Sequence, residues 1–231
     1  MMLVATGLAA ALLAAASFIP ETAEAPADTA SSPAPPLVVV NVFSVPGVPP
    51  ALVSRLLAET SAIWRASGFE FVWQRTAQEA VQYTRLTEMG PYQSSTLRVV
   101  IGDQRGLSRD QKAPLGWIVF DDEHEPQREI YLSYANAKSL MEAARQVVGV
   151  LEQMPPAQRE LLLGRAMGRA LAHELGHYLL ASKVHTRRGL MKGSRTASEL
   201  FVIARAGFGI DAVQRQQIAA RMRGESLVVS R

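Results

Sequence analysis

Three of the four histidines in this chain lie close together in the sequence. The segment His173-Glu174-Leu175-Gly176-His177 places two imidazoles four residues apart, so a helix would present both on one face. Two such imidazoles can bind one Zn²⁺, and a third protein ligand would leave a fourth position open for water. Glu174 lies beside them and can take a proton from that water as it adds to a carbonyl carbon. We therefore predict a zinc site in which Glu174 is the general base.

The third metal ligand has two candidates in the sequence. His185 is the predicted one, because Ala181-Ser182-Lys183 could end the helix and let the chain return to the metal. Glu199 is the alternative, although a helical glutamate beside Leu200 is ordinarily a solvated surface residue. The chain has no cysteine, so thiolate ligands and a cysteine nucleophile are excluded and the ligands must be His, Asp or Glu.

Other polar residues near these motifs have more ordinary interpretations. His124 lies in the acidic segment 121–125, which is typical of a solvated hairpin turn and lacks the spacing of a known metal loop. Tyr178 and Lys183 could stabilise an oxyanion. Tyr178 faces away from the neighbouring ligand, so we expect it to pack in the core, and neither residue is assigned a catalytic role.

The histidines require a long buried helix. Prolines 155 and 156 suit a first helical turn, and leucines on several faces predict a buried helix from about Ala157 to Ala181. Small residues recur every fourth position along it and predict close packing of another element: Gly164, Gly168, Ala172 and Gly176.

The remaining segments predict an α+β fold. Alternating or β-branched stretches indicate five strands, and helical spacing indicates one early helix and two later ones. The predicted strands are 37–45, 69–73, 96–102, 116–120 and 129–133, and the additional helices are 51–66, 136–152 and 209–223. We expect a twisted mixed sheet packed on two long helices, with the zinc site on the second.

These residues resemble the metzincin clan of zinc peptidases. Its signature is His-Glu-x-x-His, a third histidine downstream and a turn containing methionine, here Gly189-Leu190-Met191. The resemblance implies a zincin-like fold, His173, His177 and His185 as ligands, Glu174 as base and Met191 in the Met-turn. The third histidine follows the second by eight residues where most of the clan has six, and Ala181-Ser182 replaces the usual glycine, as in an outlying branch. If Glu199 were the ligand, the spacing would instead resemble the gluzincins.

The resemblance also implies the activity. It identifies the chain as a metallopeptidase-like hydrolase of a peptide or protein substrate, which would pair in extended form with the edge strand 116–120. Zinc, water and Glu174 alone indicate acyl chemistry without specifying the substrate. A noncatalytic zinc-binding module, or a zinc amidase or esterase acting on a cell-envelope component, is therefore an alternative.

The N-terminal segment predicts export. Residues 1–25 form an apolar, small-residue stretch ending in Ala-x-Ala, as in a signal peptide, and the Pro/Ala/Ser-rich residues 26–36 predict a linker to a catalytic domain at 37–231. We expect a secreted or periplasmic protein with no stable membrane association after cleavage. The formal charge is +3 and the basic residues are scattered, which does not indicate a nucleic-acid surface.

Overall fold

The structure is a computed structural model that describes residues 37–75, 96–104, 113–122 and 124–224. Within these ranges the chain forms a mixed α+β fold, as predicted, with five strands in one mixed sheet ordered β2-β1-β3-β5-β4. The strands are β1 (Leu37–Ser44), β2 (Glu70–Arg75), β3 (Leu97–Gly102), β4 (Gly116–Phe120) and β5 (Pro126–Ser133). The helices are α1 (Pro50–Arg65), α2 (Tyr134–Ala143), α3 (Arg145–Val148), α4 (Pro156–Leu180), α5 (Ala197–Phe201) and α6 (Ala212–Met222), with a 3₁₀ turn at Leu151–Gln153.

The sheet is parallel except at one edge. β1 pairs in parallel with β2 and β3, and β3 pairs in parallel with β5. β4 runs antiparallel to β5, to which a short turn connects it, and forms an edge of the sheet, as expected from the family resemblance. β3 is central and almost entirely buried, which fits a sequence that is apolar except for Arg98. β4 lies beside helix α4, which carries His173 and His177.

The two long helices, α1 and α4, pack tightly against each other, as their small residues predict. A Cβ added at Gly164 would lie 2.7 Å from the Cβ of Arg55, and one at Gly168 would lie 2.7 Å from the carbonyl oxygen of Leu56. The Thr60 hydroxyl donates to the Gly168 carbonyl, and the Trp64 indole donates to the Ala172 carbonyl. Glycine therefore allows the backbones of the two helices to approach within hydrogen-bonding reach of a side chain.

Two predicted boundaries are wrong. The segment 136–152 is not one helix, because it divides into α2, α3 and the 3₁₀ turn, and Gly149 adopts a φ of 96° that no α-helix accommodates. Strand β5 begins at Pro126 rather than Glu129, since proline is tolerated as the first residue of a strand. The last helix lies within its predicted range, and Asp211 caps it.

The predicted signal peptide at 1–25 and linker at 26–36 lie outside the described residues, so export stays a prediction. None of the helices in the described ranges is long and apolar enough to cross a membrane.

Candidate metal centre

The structure brings the three predicted histidine ligands together. His173 and His177 lie one turn apart on α4, and their Nε2 atoms are 3.0 Å apart. The Nε2 atom of His185 lies 3.2 Å from that of His177. One nitrogen from each of the three rings lies within 4.8 Å of the others, so all three can face one ion.

The turn after α4 returns the chain to the site. Ala181 adopts the left-handed conformation, with φ 46° and ψ 47°, at the position where a glycine is typical. The Ser182 amide donates to the His177 carbonyl, and the Ala181 amide donates to the Tyr178 carbonyl, which is the Schellman pattern. This turn ends the helix without a glycine and directs the chain back towards His185.

The predicted methionine turn lies below the histidines. Gly189 has a φ of 75°, and the Lys192 amide donates to its carbonyl across the turn. Met191 is buried, and its Sδ fills the space beside Gly176, where any Cβ would collide with it. The turn and the glycine of the His-Glu-x-x-His segment therefore fit together as one packing unit.

Backbone carbonyls determine which ring nitrogens face the centre. Nδ1 of His173 bonds to the Leu190 carbonyl at 2.9 Å, and Nδ1 of His177 bonds to the Ser182 carbonyl at 2.6 Å. A carbonyl oxygen only accepts, so each Nδ1 carries the proton in the neutral ring and each Nε2 presents a lone pair. Two lone pairs at 3.0 Å repel each other unless a cation lies between them.

The donor set fits zinc. Three imidazole nitrogens are ligands that Zn²⁺ prefers, and nitrogens held at the usual bond length in a tetrahedral site lie about 3.3 Å apart, close to the distances between these Nε2 atoms. Burial lowers the pKa of His173 to about 4 and lowers the pKa of His177. Both rings are therefore held in the neutral form that binds a metal.

Glu174 lies beside the histidines in a water-poor position. Its side chain is buried next to β4, where a Cβ on Gly116 would lie 3.2 Å from the Glu174 Cγ. Burial raises the pKa of Glu174 to about 8. No ion pair or side-chain hydrogen bond holds this carboxyl group within the part of the chain described. Once ionised, it is a stronger base than an exposed glutamate.

The histidines and Glu174 line an open cleft of about 780 Å³ along β4. Residues 113–118 and Phe120 line it, as do residues of the chain after the Met-turn. The Phe120 ring packs edge-on to His177, with ring centroids 6.5 Å apart. Four basic side chains also line the cleft: Arg169, Lys183, Lys192 and Arg195.

The other sequence candidates have different surroundings. Glu199 caps α5, accepting from the Thr196 amide, and pairs with Lys192 at 2.7 Å. These two hydrogen bonds lower the pKa of Glu199 to about 2, and the bond from Lys192 has the larger effect. Tyr178 packs against the hydrophobic core, and His124 lies in the exposed turn between β4 and β5.

The sequence does not predict that Gly193 and Arg169 lie beside the histidines in the cleft. A Cβ on Gly193 would lie 2.9 Å from the Cγ of His185, so a larger residue there would displace this ring. Arg169, one turn before His173, is buried and bonded to Glu59 at 3.0 Å. The sequence gives no signal for either, since both depend on contacts between distant segments.

The fold and site define a class: an α+β protein with three histidines that could hold one metal ion and a buried carboxyl group in an open cleft. No family model and no curated protein matches the sequence. Three chains among the solved structures match, including archaemetzincin from Methanopyrus kandleri, determined in a crystal structure. That chain is 14% identical over 80% of this chain and 96% of its own, with a TM-score of 0.47. A likeness this distant carries no inference about activity, which must come from the site itself.

Proposed function

We propose that this protein is a zinc-dependent metallopeptidase that hydrolyses peptide bonds. The supporting observation is the convergence of three imidazole nitrogens next to a buried carboxyl group that lies in an open cleft and has no ion-pair partner among the described residues. A structural zinc site usually has four protein ligands, whereas the described residues of this cluster supply three. The arrangement is therefore that of a site with a position left for a reactant.

His173, His177 and His185 would hold the zinc ion, and the carbonyls of Leu190 and Ser182 orient the first two rings. When bound, zinc would polarise water and the substrate carbonyl. A carboxylate oxygen of Glu174 accepts a proton from the attacking water as the new C–O bond forms. The same oxygen then donates the proton to the leaving nitrogen as the C–N bond breaks.

Strand β4 is the proposed substrate platform. It pairs with β5 on one side only, and its residues line the cleft on the other. An extended peptide can form main-chain hydrogen bonds with such an edge, which would place one of its carbonyl groups beside Glu174. This arrangement favours a peptide over a compact amide or ester.

The roles are tested with Glu174→Gln, His177→Ala and the control Glu160→Gln, which changes a glutamate elsewhere on α4. We expect Glu174→Gln to retain one zinc per chain and lose roughly 10²–10⁴-fold in turnover, the usual contribution of a general base. His177→Ala should lose stoichiometric zinc, and Glu160→Gln should resemble wild type. Metal analysis and cleavage profiling of a mixed peptide library, with and without a chelator, provide the measurements.

Three results would contradict parts of this proposal. Wild-type turnover in Glu174→Gln would disprove the role of the base. A zinc-loaded wild-type protein that cleaves no library peptide would indicate a noncatalytic module. Cleavage of cell-envelope amides or esters, but not of peptides, would reassign the substrate class.

A further inference from the structure

The four basic side chains of the cleft differ in their partners. Arg169 is paired with Glu59, while Lys192 and Arg195 share Glu199 at 2.7 and 3.3 Å. Lys183 has no carboxylate partner among the residues that the structure describes. Of the four described basic side chains in the cleft, Lys183 is therefore the one whose charge is available to a ligand.

Hydrogen bonds formed by the two residues that flank Lys183 hold it near the metal centre. The preceding residue, Ser182, accepts from Nδ1 of His177 through its carbonyl and donates its amide to the His177 carbonyl. The following Val184 amide donates to the Ser182 hydroxyl. The backbone of Lys183 is thus tied to a ligand residue, although its side chain is exposed.

The side chain of Lys183 extends to the Phe120 end of β4. Its Nζ lies 5.1 Å from the centroid of the Phe120 ring, which itself packs against His177. An aromatic face attracts a cation weakly at an exposed site and leaves the N–H donors of the ammonium group free for an anion. The ammonium group therefore lies at the end of the strand along which an extended substrate would run.

We propose that Lys183 makes this cleft select substrates that carry a carboxylate close to the scissile bond. This inference rests on the proposed peptidase function. The carboxylate can be an Asp or Glu side chain or the free C-terminus of a short peptide, because both present the same two oxygens to the ammonium group. Lys183 acts as a specificity-determining residue, distinct from the histidines and Glu174.

The test measures binding, so it does not depend on turnover. Fluorescently labelled peptide pools bind to zinc-loaded Glu174→Gln protein, and affinity is read by anisotropy. One pool contains Glu at each position in turn with an amidated C-terminus, a second contains Gln in its place, and a third contains Gln with a free C-terminal carboxylate. Comparing the pools separates a side-chain carboxylate from a terminal one.

The measurements are repeated with Glu174→Gln proteins that carry a second substitution, which is Lys183→Gln, Lys183→Arg or Lys138→Gln. Lys138 is a matched control, since its Nζ lies 4.3 Å from the Tyr134 ring, outside the cleft. We expect one of the two carboxylate pools to bind about fivefold more tightly than its neutral counterpart, the upper range for an exposed ion pair. This preference should disappear in Lys183→Gln, persist in Lys183→Arg and Lys138→Gln, and shrink as salt is raised.

Equal binding of all pools would overturn the inference. So would a preference that survives Lys183→Gln, because the carboxylate would then be bound by the metal or by another cation. If the preference depends on Lys183 but wild type cleaves none of these peptides, the role of Lys183 in binding a carboxylate stands and the proposed peptidase function fails.

Discussion

Each α4 histidine has two nitrogens with separate partners. Nδ1 of His173 and His177 bonds to a carbonyl of the chain that follows α4, while Nε2 faces the centre. These carbonyls belong to Leu190 in the Met-turn and Ser182 in the turn that ends the helix. The segments that follow the helix therefore determine the tautomer of the ligands as well as the position of His185.

Replacing each candidate third ligand tests this assignment. His185→Ala should weaken zinc binding by more than about a hundredfold, since loss of even an outer partner of a ligand costs 10–100-fold. Glu199→Gln should leave zinc affinity close to wild type, because a glutamine at this position can retain the capping box of α5. Competition with a chromophoric chelator measures both affinities. Unchanged zinc binding in His185→Ala, with a large loss in Glu199→Gln, would show that the third ligand is Glu199 and not His185.

Helix α4 combines the chemistry and the packing in one element. Gly164 and Gly168 contact α1, Gly176 contacts Met191, and His173 and His177 project into the cleft. Different faces of one helix thus contact the other long helix, the Met-turn and the substrate space. This explains why the helix is apolar nearly all round yet contains three glycines that each cost about 1 kcal/mol relative to alanine.

The end of α4 offers a test of its backbone strain. Ala181→Gly should raise the free energy of unfolding by about 0.5–1 kcal/mol, because the left-handed conformation costs alanine about 1–2 kcal/mol that glycine avoids. Ala58→Gly, at an exposed position within α1, is the control and should lower it by about 1 kcal/mol. Urea unfolding of the zinc-saturated proteins measures both. A loss of stability in Ala181→Gly equal to that of the control would show that residue 181 is not left-handed.

Local features of the fold could be predicted from the sequence, and contacts between distant segments could not. The apolar character of 157–181 identifies the helix, and the His-Glu-x-x-His spacing places His173 and His177 on one of its faces, since both are properties of one segment. The sequence does not show that Ala181 would replace glycine in the turn, or that Gly149 would interrupt the predicted helix 136–152. The backbone conformations of Ala181 and Gly149 depend on packing between distant segments, which a local sequence pattern does not show.

At the scale of the molecule, a partly buried ion-pair network joins the long helices to the C-terminal segment. Glu59 of α1 pairs with Arg169 of α4 at 3.0 Å and with Arg205 at 2.8 Å. Arg169 also donates to the carbonyls of Glu199 and Ala204. A charged residue on a helix is ordinarily predicted at the surface, so this network could not be anticipated from the sequence. It connects the chain beyond the Met-turn to the helix that carries the ligands.

The metal would be a second connection between these parts, because His185 lies beyond the end of α4. A ligand that binds only the folded protein stabilises it by about 2.7 kcal/mol at a hundredfold excess over Kd. For a domain of this size each kcal/mol shifts Tm by about 2–4 °C. We therefore expect EDTA to lower the Tm of the zinc-loaded protein by roughly 5–10 °C, as measured by scanning calorimetry.

The His177→Ala variant is the control for this experiment. This variant lacks one of the three proposed zinc ligands, so EDTA and added zinc should both leave its Tm nearly unchanged. Restoring zinc to the chelated wild type should recover the original transition, because burial keeps His173 and His177 neutral and the Leu190 and Ser182 carbonyls orient their rings. An equal effect of EDTA on wild type and His177→Ala would mean that the stabilising metal is bound elsewhere, and no effect on either would mean that the three histidines do not hold one.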